Sequence, residues 1–175
     1  IVSDYGHGLI SKKSANMICK NSKFLALNAQ VNASNIGYHT IRNYYNFDTL
    51  IINEKEIRHE MRDKAGNLEG LMIDLVNERN VKNLIVTSGR NGSILYNKKN
   101  KKFFTAEAYA TNIVDKIGAG DAMLSLMGLC LKSNLKSELT LLMSSLGAAQ
   151  SISSLANKDS ISKISILKTL ENILK

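Results

Sequence analysis

Two hydrophobic periods alternate along this chain. Apolar runs of strand length occur at Ile1–Ser3, Phe24–Asn28, Thr49–Ile52 and Val81–Thr87, separated by stretches whose apolar residues recur at helical spacing. Leu84, Ile85 and Val86 are consecutive, the pattern of a strand buried on both faces in a parallel sheet. Ser11 predicts the N-cap of a helix reaching Asn21, and Asn53 that of a charged helix over Glu54–Arg62. Leu68, Leu71, Met72, Leu75 and Val76 make the stretch Asn67–Asn80 an amphipathic helix. Ser93–Asn97 and Phe103–Ala106 read as a strand pair, with strand signals continuing to Ile113. Beyond Gly118 the chain reads as helix, with breaks near Lys132–Ser137 and Asn157–Ser160. The expectation is an α/β fold: a three-layer αβα sandwich around a mostly parallel sheet, with residues 1–175 forming one domain.

Composition narrows this picture only a little. A chain of 175 residues with 44% hydrophobic and 22% charged positions has the profile of an ordinary globular domain. No apolar run approaches the length of a membrane span and no signal peptide opens the chain, so the expected location is cytoplasmic, away from a membrane. Because the first residue, Ile1, already lies in a strand-like run, the chain is expected to be a fragment of a longer protein. Cys19 and Cys130 stand far apart in apolar surroundings and are read as buried, reduced thiols. His39 and His59 lack the neighbours of a metal site, and Met72, Met123, Met127 and Met143 read as core. A net charge of +8 calls for an anionic partner, and nucleic acid, an acidic membrane and a nucleotide phosphate all fit that charge. The densest basic run, Lys98–Lys102, reads as a solvated hairpin tip.

The candidate chemistry lies in the stretch "DKIGAGDAM", residues 115–123. Gly118 and Gly120 permit close approach of a ligand to the main chain. A helix starting near Ala119 leaves its first amides unpaired at its electropositive end, which suits a phosphate. Asp121, one step further, is placed to accept a proton from a hydroxyl attacking that phosphate. The residues alone equally allow a tight turn followed by an acidic helix start. The string matches neither GxxxxGK[ST] nor GxGxxG.

That stretch closely resembles the second signature of the ribokinase-like (PfkB) carbohydrate kinases, Asp-Thr-x-Gly-Ala-Gly-Asp-Ala-Phe, through Asp115, Gly118, Ala119, Gly120, Asp121 and Ala122. Upstream, "INEKEI" resembles the family's Asn-x-x-Glu element through Asn53 and Glu56. "VTSGRNGSILY" looks like its nucleotide-holding strand–turn–strand, with Thr87, Gly89 and Gly92 in the family positions. The opening "VSDYGHGLIS" is similar to the Asp-Tyr-x-Lys-Gly stretch of heptose-phosphate kinases, including those fused to a nucleotidyltransferase; "LNAQVNASNIGYHTIRNY" and "ANKDSISK" resemble the same subgroup.

The resemblance implies ATP-dependent phosphorylation of a sugar or sugar-phosphate hydroxyl. It makes Asp121 the base and 118–120 the anion hole. It implies ATP and Mg²⁺ as cofactors, with Asn53, Glu56, Thr87, Gly89, Gly92 and Lys116 around the nucleotide and Glu56 towards the metal. It sets Asp4 and Asn28 towards the sugar, and leaves room for a homodimer. It also implies a sugar-binding N-terminal half with a lid and a glycine-pair signature, which this sequence does not contain. Three positions depart from the pattern: Lys116 for Thr, His7 for Lys and Met123 for Phe. Residue by residue, simpler roles stand beside these: Asn53 and Glu56 match a capping box, Gly89 and Gly92 match hairpin glycines, and Asp115 orients its turn. The alternative function is a non-catalytic nucleotide-binding module of the same fold. A basic nucleic-acid-binding domain rests on charge alone, with no motif behind it, and is not expected.

Overall fold

The computed structural model describes residues 1–31, 41–110, 113–115, 117–153, 158 and 160–173. A six-stranded sheet runs in sequence order: β1 (Val2–Asp4), β2 (Ala26–Ala29), β3 (Thr49–Asn53), β4 (Asn83–Thr87), β5 (Ser93–Asn97) and β6 (Lys102–Ala106). β1 to β4 pair in parallel, and β5 and β6 follow as antiparallel neighbours. Their helices are α1 (Lys12–Asn21), α2 (Glu54–Glu60), α3 (Leu68–Arg79), α4 (Ala119–Lys132), α5 (Ser137–Ser151) and α6 (Lys163–Ile173).

Because side chains alternate across a strand, the central strands feed two cores. Leu27, Leu50, Ile52, Leu84 and Val86 face one side, where Ala15, Cys19, Ile57, Met72 and Leu75 of α1 to α3 meet them. Ala26, Ile51, Ile85 and Leu95 face the other, packed against Met123, Leu124 and Met127 of α4 and Leu141 of α5. Two apolar faces on one sheet require a helical layer on each, which produces the three-layer sandwich. α6 lies outside, with Ile166 and Leu170 packed on Leu146 of α5.

Local signals hold to within a residue or two. Ser11 accepts from the Ser14 amide, and Asn67 accepts from the Gly70 amide. Asn53 and Glu56 form a reciprocal capping box. The helix expected over Glu54–Arg62 is shorter, since Met61 closes it and Arg62 turns to φ 54°. The strand signal expected to reach Ile113 stops at Ala106, because 107–110 leave the sheet and line a cavity instead. Cys19 and Cys130 are buried free thiols, and burial pushes the Cys130 thiol up from its ordinary value. Among the described residues no helix is long and apolar enough to cross a membrane.

Candidate active site

The carboxyl ends of β1 to β4 share one edge of the sheet, the edge where open α/β sheets carry their ligands. There the chain enters α4 through Gly118, which has φ 91° and caps the helix with no side-chain acceptor. Positive φ strains any residue with a Cβ, so glycine suits this corner. The Ile117 amide donates to Asp115 Oδ1 at 3.0 Å, so Asp115 shapes the turn. The amides of Val114 and Asp115 donate to the Ile152 carbonyl at the end of α5, tying the approach to that helix.

The start of α4 has two flanks. On one lies a cavity of about 490 Å³ lined by Thr87, Gly89, Gly92, Ala119 and Gly120, a size suited to a small molecule. All five are positions singled out from the sequence. Gly89 and Gly92 are hairpin glycines as well, since they sit in the turn joining β4 to β5 at φ 59° and 82°. A Cβ on Gly92 would come within 2.0 Å of the Ala106 carbonyl oxygen, whereas one on Gly120 would meet nothing within 4 Å. Tyr109, Ile113, Ser145, Ala148, Ala149 and Ile152 add to the wall, and Arg90 and Glu107 are its charged members. No motif announced them; the small residues on one face of α5 were the only available signal.

On the other flank stands Asp121, half-buried in the first turn of α4. The Ser3 hydroxyl donates to its Oδ1 at 2.7 Å and the Tyr5 hydroxyl to its Oδ2 at 2.5 Å. Hydrogen bonding to Asp121 is the main reason the Tyr5 phenol holds its proton more tightly than usual, with burial second. Sequence reasoning missed Ser3 and Tyr5, although their spacing of two puts both on one face at the end of β1.

Asp4, between them, points the other way. It is only 4% exposed; the Gly6 amide donates to Oδ1 at 2.9 Å and the Tyr44 hydroxyl donates to Oδ2. Burial, then Asp4, pushes the Tyr44 phenol well above the ordinary tyrosine range. Asn28 is 8% exposed and donates to the Ile51 carbonyl across the sheet at 2.8 Å. Asp4 and Asn28, the two positions expected towards the sugar, are thus both buried: Asp4 bonds Gly6 and Tyr44, while Asn28, in register with Ser3, lies on the same sheet face as Ser3.

Asn53 accepts from the Glu56 amide at 2.9 Å, and Glu56 accepts from the Asn53 amide at 2.8 Å and the Val31 amide at 3.4 Å. Burial raises the Glu56 carboxyl above its ordinary value, more than those two amides lower it. A buried carboxylate with one long bond has capacity left for a cation, and Mg²⁺ commonly uses one or two carboxylates together with phosphate oxygens. No group of three or more potential metal ligands occurs among the described residues. Lys116 and His39 lie outside the described residues.

The family model for pfkB family carbohydrate kinases matches residues 13–163. The chain belongs to that family. Bifunctional protein HldE of Campylobacter curvus is 30% identical over 152 residues, covering 85% of this chain and 31% of that protein. Phosphofructokinase-2 from Escherichia coli superposes with a TM-score of 0.66 at 16% identity, over 75% of this chain and 42% of that one. An Escherichia coli protein described as Ribokinase II, in complex with ATP and Mg²⁺, gives 0.62 at 20% identity, over 72% and 40%. The chain thus spans about a third of the curated relative and two fifths of the solved structures. This PfkB-family chain shares the ribokinase-like fold.

Proposed function

We propose that this chain, residues 1–175, is the C-terminal, nucleotide-binding part of an ATP-dependent kinase that phosphorylates a sugar or sugar-phosphate hydroxyl. The observation that carries the reading is the position of the Gly118–Ala119–Gly120 corner. It stands between the cavity, lined by Ala119 and Gly120, and the Asp121 carboxylate. A nucleotide in the cavity would bring its terminal phosphate to the unpaired amides of α4, which stabilise the charge that develops during transfer. Asp121 then accepts the proton of the attacking hydroxyl, while Ser3 and Tyr5 hold its carboxylate in plane.

Thr87, Gly89 and Gly92 shape the nucleotide wall, with Asn53 and Glu56 on the phosphate side. Mg²⁺, held by Glu56 and the nucleotide phosphates, would neutralise phosphate charge. The ATP and Mg²⁺ complex of a protein with this fold supports that choice. Asp4 and Asn28 support the sugar side from beneath. The Asp-Tyr stretch at 4–5 favours a heptose phosphate as acceptor, with the sugar-binding half and lid supplied by the remainder of a longer protein acting in the cytoplasm.

Replacing Asp121 by Asn in the complete protein is expected to lower turnover by about 10²–10⁴-fold, with ATP affinity nearly unchanged. Normal turnover in that variant would remove Asp121 from the mechanism. A second reading, a nucleotide-binding module without catalysis, is favoured by the two hydroxyls already on Asp121. Each carboxylate oxygen keeps a further lone pair, so a substrate hydroxyl remains compatible. ATP binding with no ADP release across a panel of sugar phosphates would support the module.

A further inference from the structure

At the opposite edge of the sheet, where the parallel strands begin, lies a larger cavity of about 790 Å³. Six lysines from separate parts of the chain converge on it. Lys23 precedes β2, Lys82 precedes β4, Lys99 and Lys102 belong to the β5–β6 hairpin, Lys132 ends α4, and Lys136 stands at the N-cap of α5. Asp48 and Glu138 are the acids on the rim, and Asp48 is already paired with Lys82 at 2.6 Å. The other five lysines have no ion pair among the described residues.

Two further features share this concavity. Lys136 supplies no side-chain cap, so α5 presents its first amides without a side-chain acceptor at an electropositive end. Phe24, Phe104, Leu131 and Leu135 are the apolar members of a mostly polar lining, and the Lys132 ammonium lies 5.9 Å from the Phe24 ring centroid. Like charges repel, and a concave wall concentrates their field, so six lysines against two acids, a surplus of about four positive charges around one hollow, favour a multivalent anion. The lysines ring a pocket of small-molecule size and come from several connections, not from a stripe along one helix.

The geometry points to a second anion site here, taking a chain of linked phosphates, inorganic or nucleoside-borne, at the pole opposite the Asp121 corner. This site is independent of the catalytic reading, because none of its lysines lies at the Asp121 edge. The hairpin run at Lys98–Lys102 is therefore more than a wet turn: Lys99 and Lys102 are two arms of the cleft.

The test titrates inorganic tripolyphosphate into the complete protein by calorimetry. K99Q/K132Q/K136Q is expected to weaken binding by about tenfold or more, since each exposed charge contact contributes modestly. K12Q/K13Q/K20Q on α1 removes the same charge elsewhere and is expected to leave binding unchanged. Equal loss in both triple variants would reduce the effect to net charge and overturn the site. Independently of any variant, tripolyphosphate should protect Lys99, Lys132 and Lys136 from acetylation, read by mass spectrometry, while Lys12 and Lys13 stay reactive. Protection without tripolyphosphate would mean that the rest of the protein covers the cleft, and would also overturn it. A second ATP binding event that is lost in the cleft variant, with the first event kept, marks a nucleoside-borne chain; a single ATP event unchanged by the variant, with tripolyphosphate binding weakened, marks the inorganic one. A single-stranded oligonucleotide that binds tighter than tripolyphosphate through the same lysines would replace the proposal with a nucleic-acid face.

Discussion

The Tyr5 hydroxyl and the Asp121 carboxylate, 116 positions apart in sequence, meet at 2.5 Å. The residue that follows β1 and the first turn of α4 are thereby joined through the carboxylate proposed as the base. Because Tyr5 acts through Asp121, its loss should disturb the orientation of the carboxylate and not the nucleotide. Tyr5→Phe is expected to lower kcat by about tenfold, the scale of one hydrogen bond to a charged group, with KM for ATP unchanged. Steady-state kinetics on the complete protein check this; a change confined to KM would assign Tyr5 to binding.

Gly120 offers a separation of fold from function. A Cβ there meets no atom within 4 Å, and helical alanine is favoured over glycine by about 1 kcal/mol. Gly120→Ala should therefore fold at least as well as the parent, while its methyl group enters the cavity and weakens ATP binding. Thermal melting and nucleotide titration, run side by side, read the two effects.

Gly92 should behave in the opposite way. Its φ of 82° and the 2.0 Å approach to the Ala106 carbonyl leave a methyl group no room. Gly92→Ala is expected to lose about 2 kcal/mol or more of stability, since left-handed strain and a backbone clash add. Urea unfolding measures the loss.

Glu56 carries a pH signature. Burial raises its carboxyl in the folded chain, so folding favours the protonated form. Its stabilising share is full below the ordinary glutamate value of about 4.3 and is lost as pH rises through the raised folded value. Glu56→Gln keeps the amide-accepting oxygen of the capping box but cannot ionise. The variant should match the parent near pH 4 and melt higher near pH 7, while its Mg²⁺-dependent turnover falls. Melting curves across that range test the sign; a variant that melts lower at pH 7 would show that the carboxylate itself is needed for the fold.

Tyr44 and Asp4 form a buried pair whose members depend on each other. Tyr44→Phe leaves an Asp4 oxygen without its hydroxyl donor in a nearly dry setting, at a cost of about 1–3 kcal/mol. Chemical denaturation should record that loss without a change in ATP affinity.

Much of this architecture is written in short-range pattern. Ser11, Asn53 and Asn67 announce their helices because a cap needs only the next three residues. The continuous run Leu84–Val86 announces a doubly buried strand because both of its faces must be apolar. The glycines of the β4–β5 turn and of the α4 entry are legible because positive φ selects them. What sequence alone could not assign was direction and company. Asp4 and Tyr5 are neighbours in one motif, yet strand alternation sends one to Tyr44 in the core and the other to Asp121 at the cleft. Ser145, Ala148 and Ile152 became cavity wall only when α5 packed beside α4, and Lys23, Lys99, Lys132 and Lys136 became one cleft only when three connections met at the far edge. Local propensity acts over a few residues, so it determined the elements and their ends; contacts between distant segments exist only once the sheet has brought them together, so the tertiary structure decided the sites.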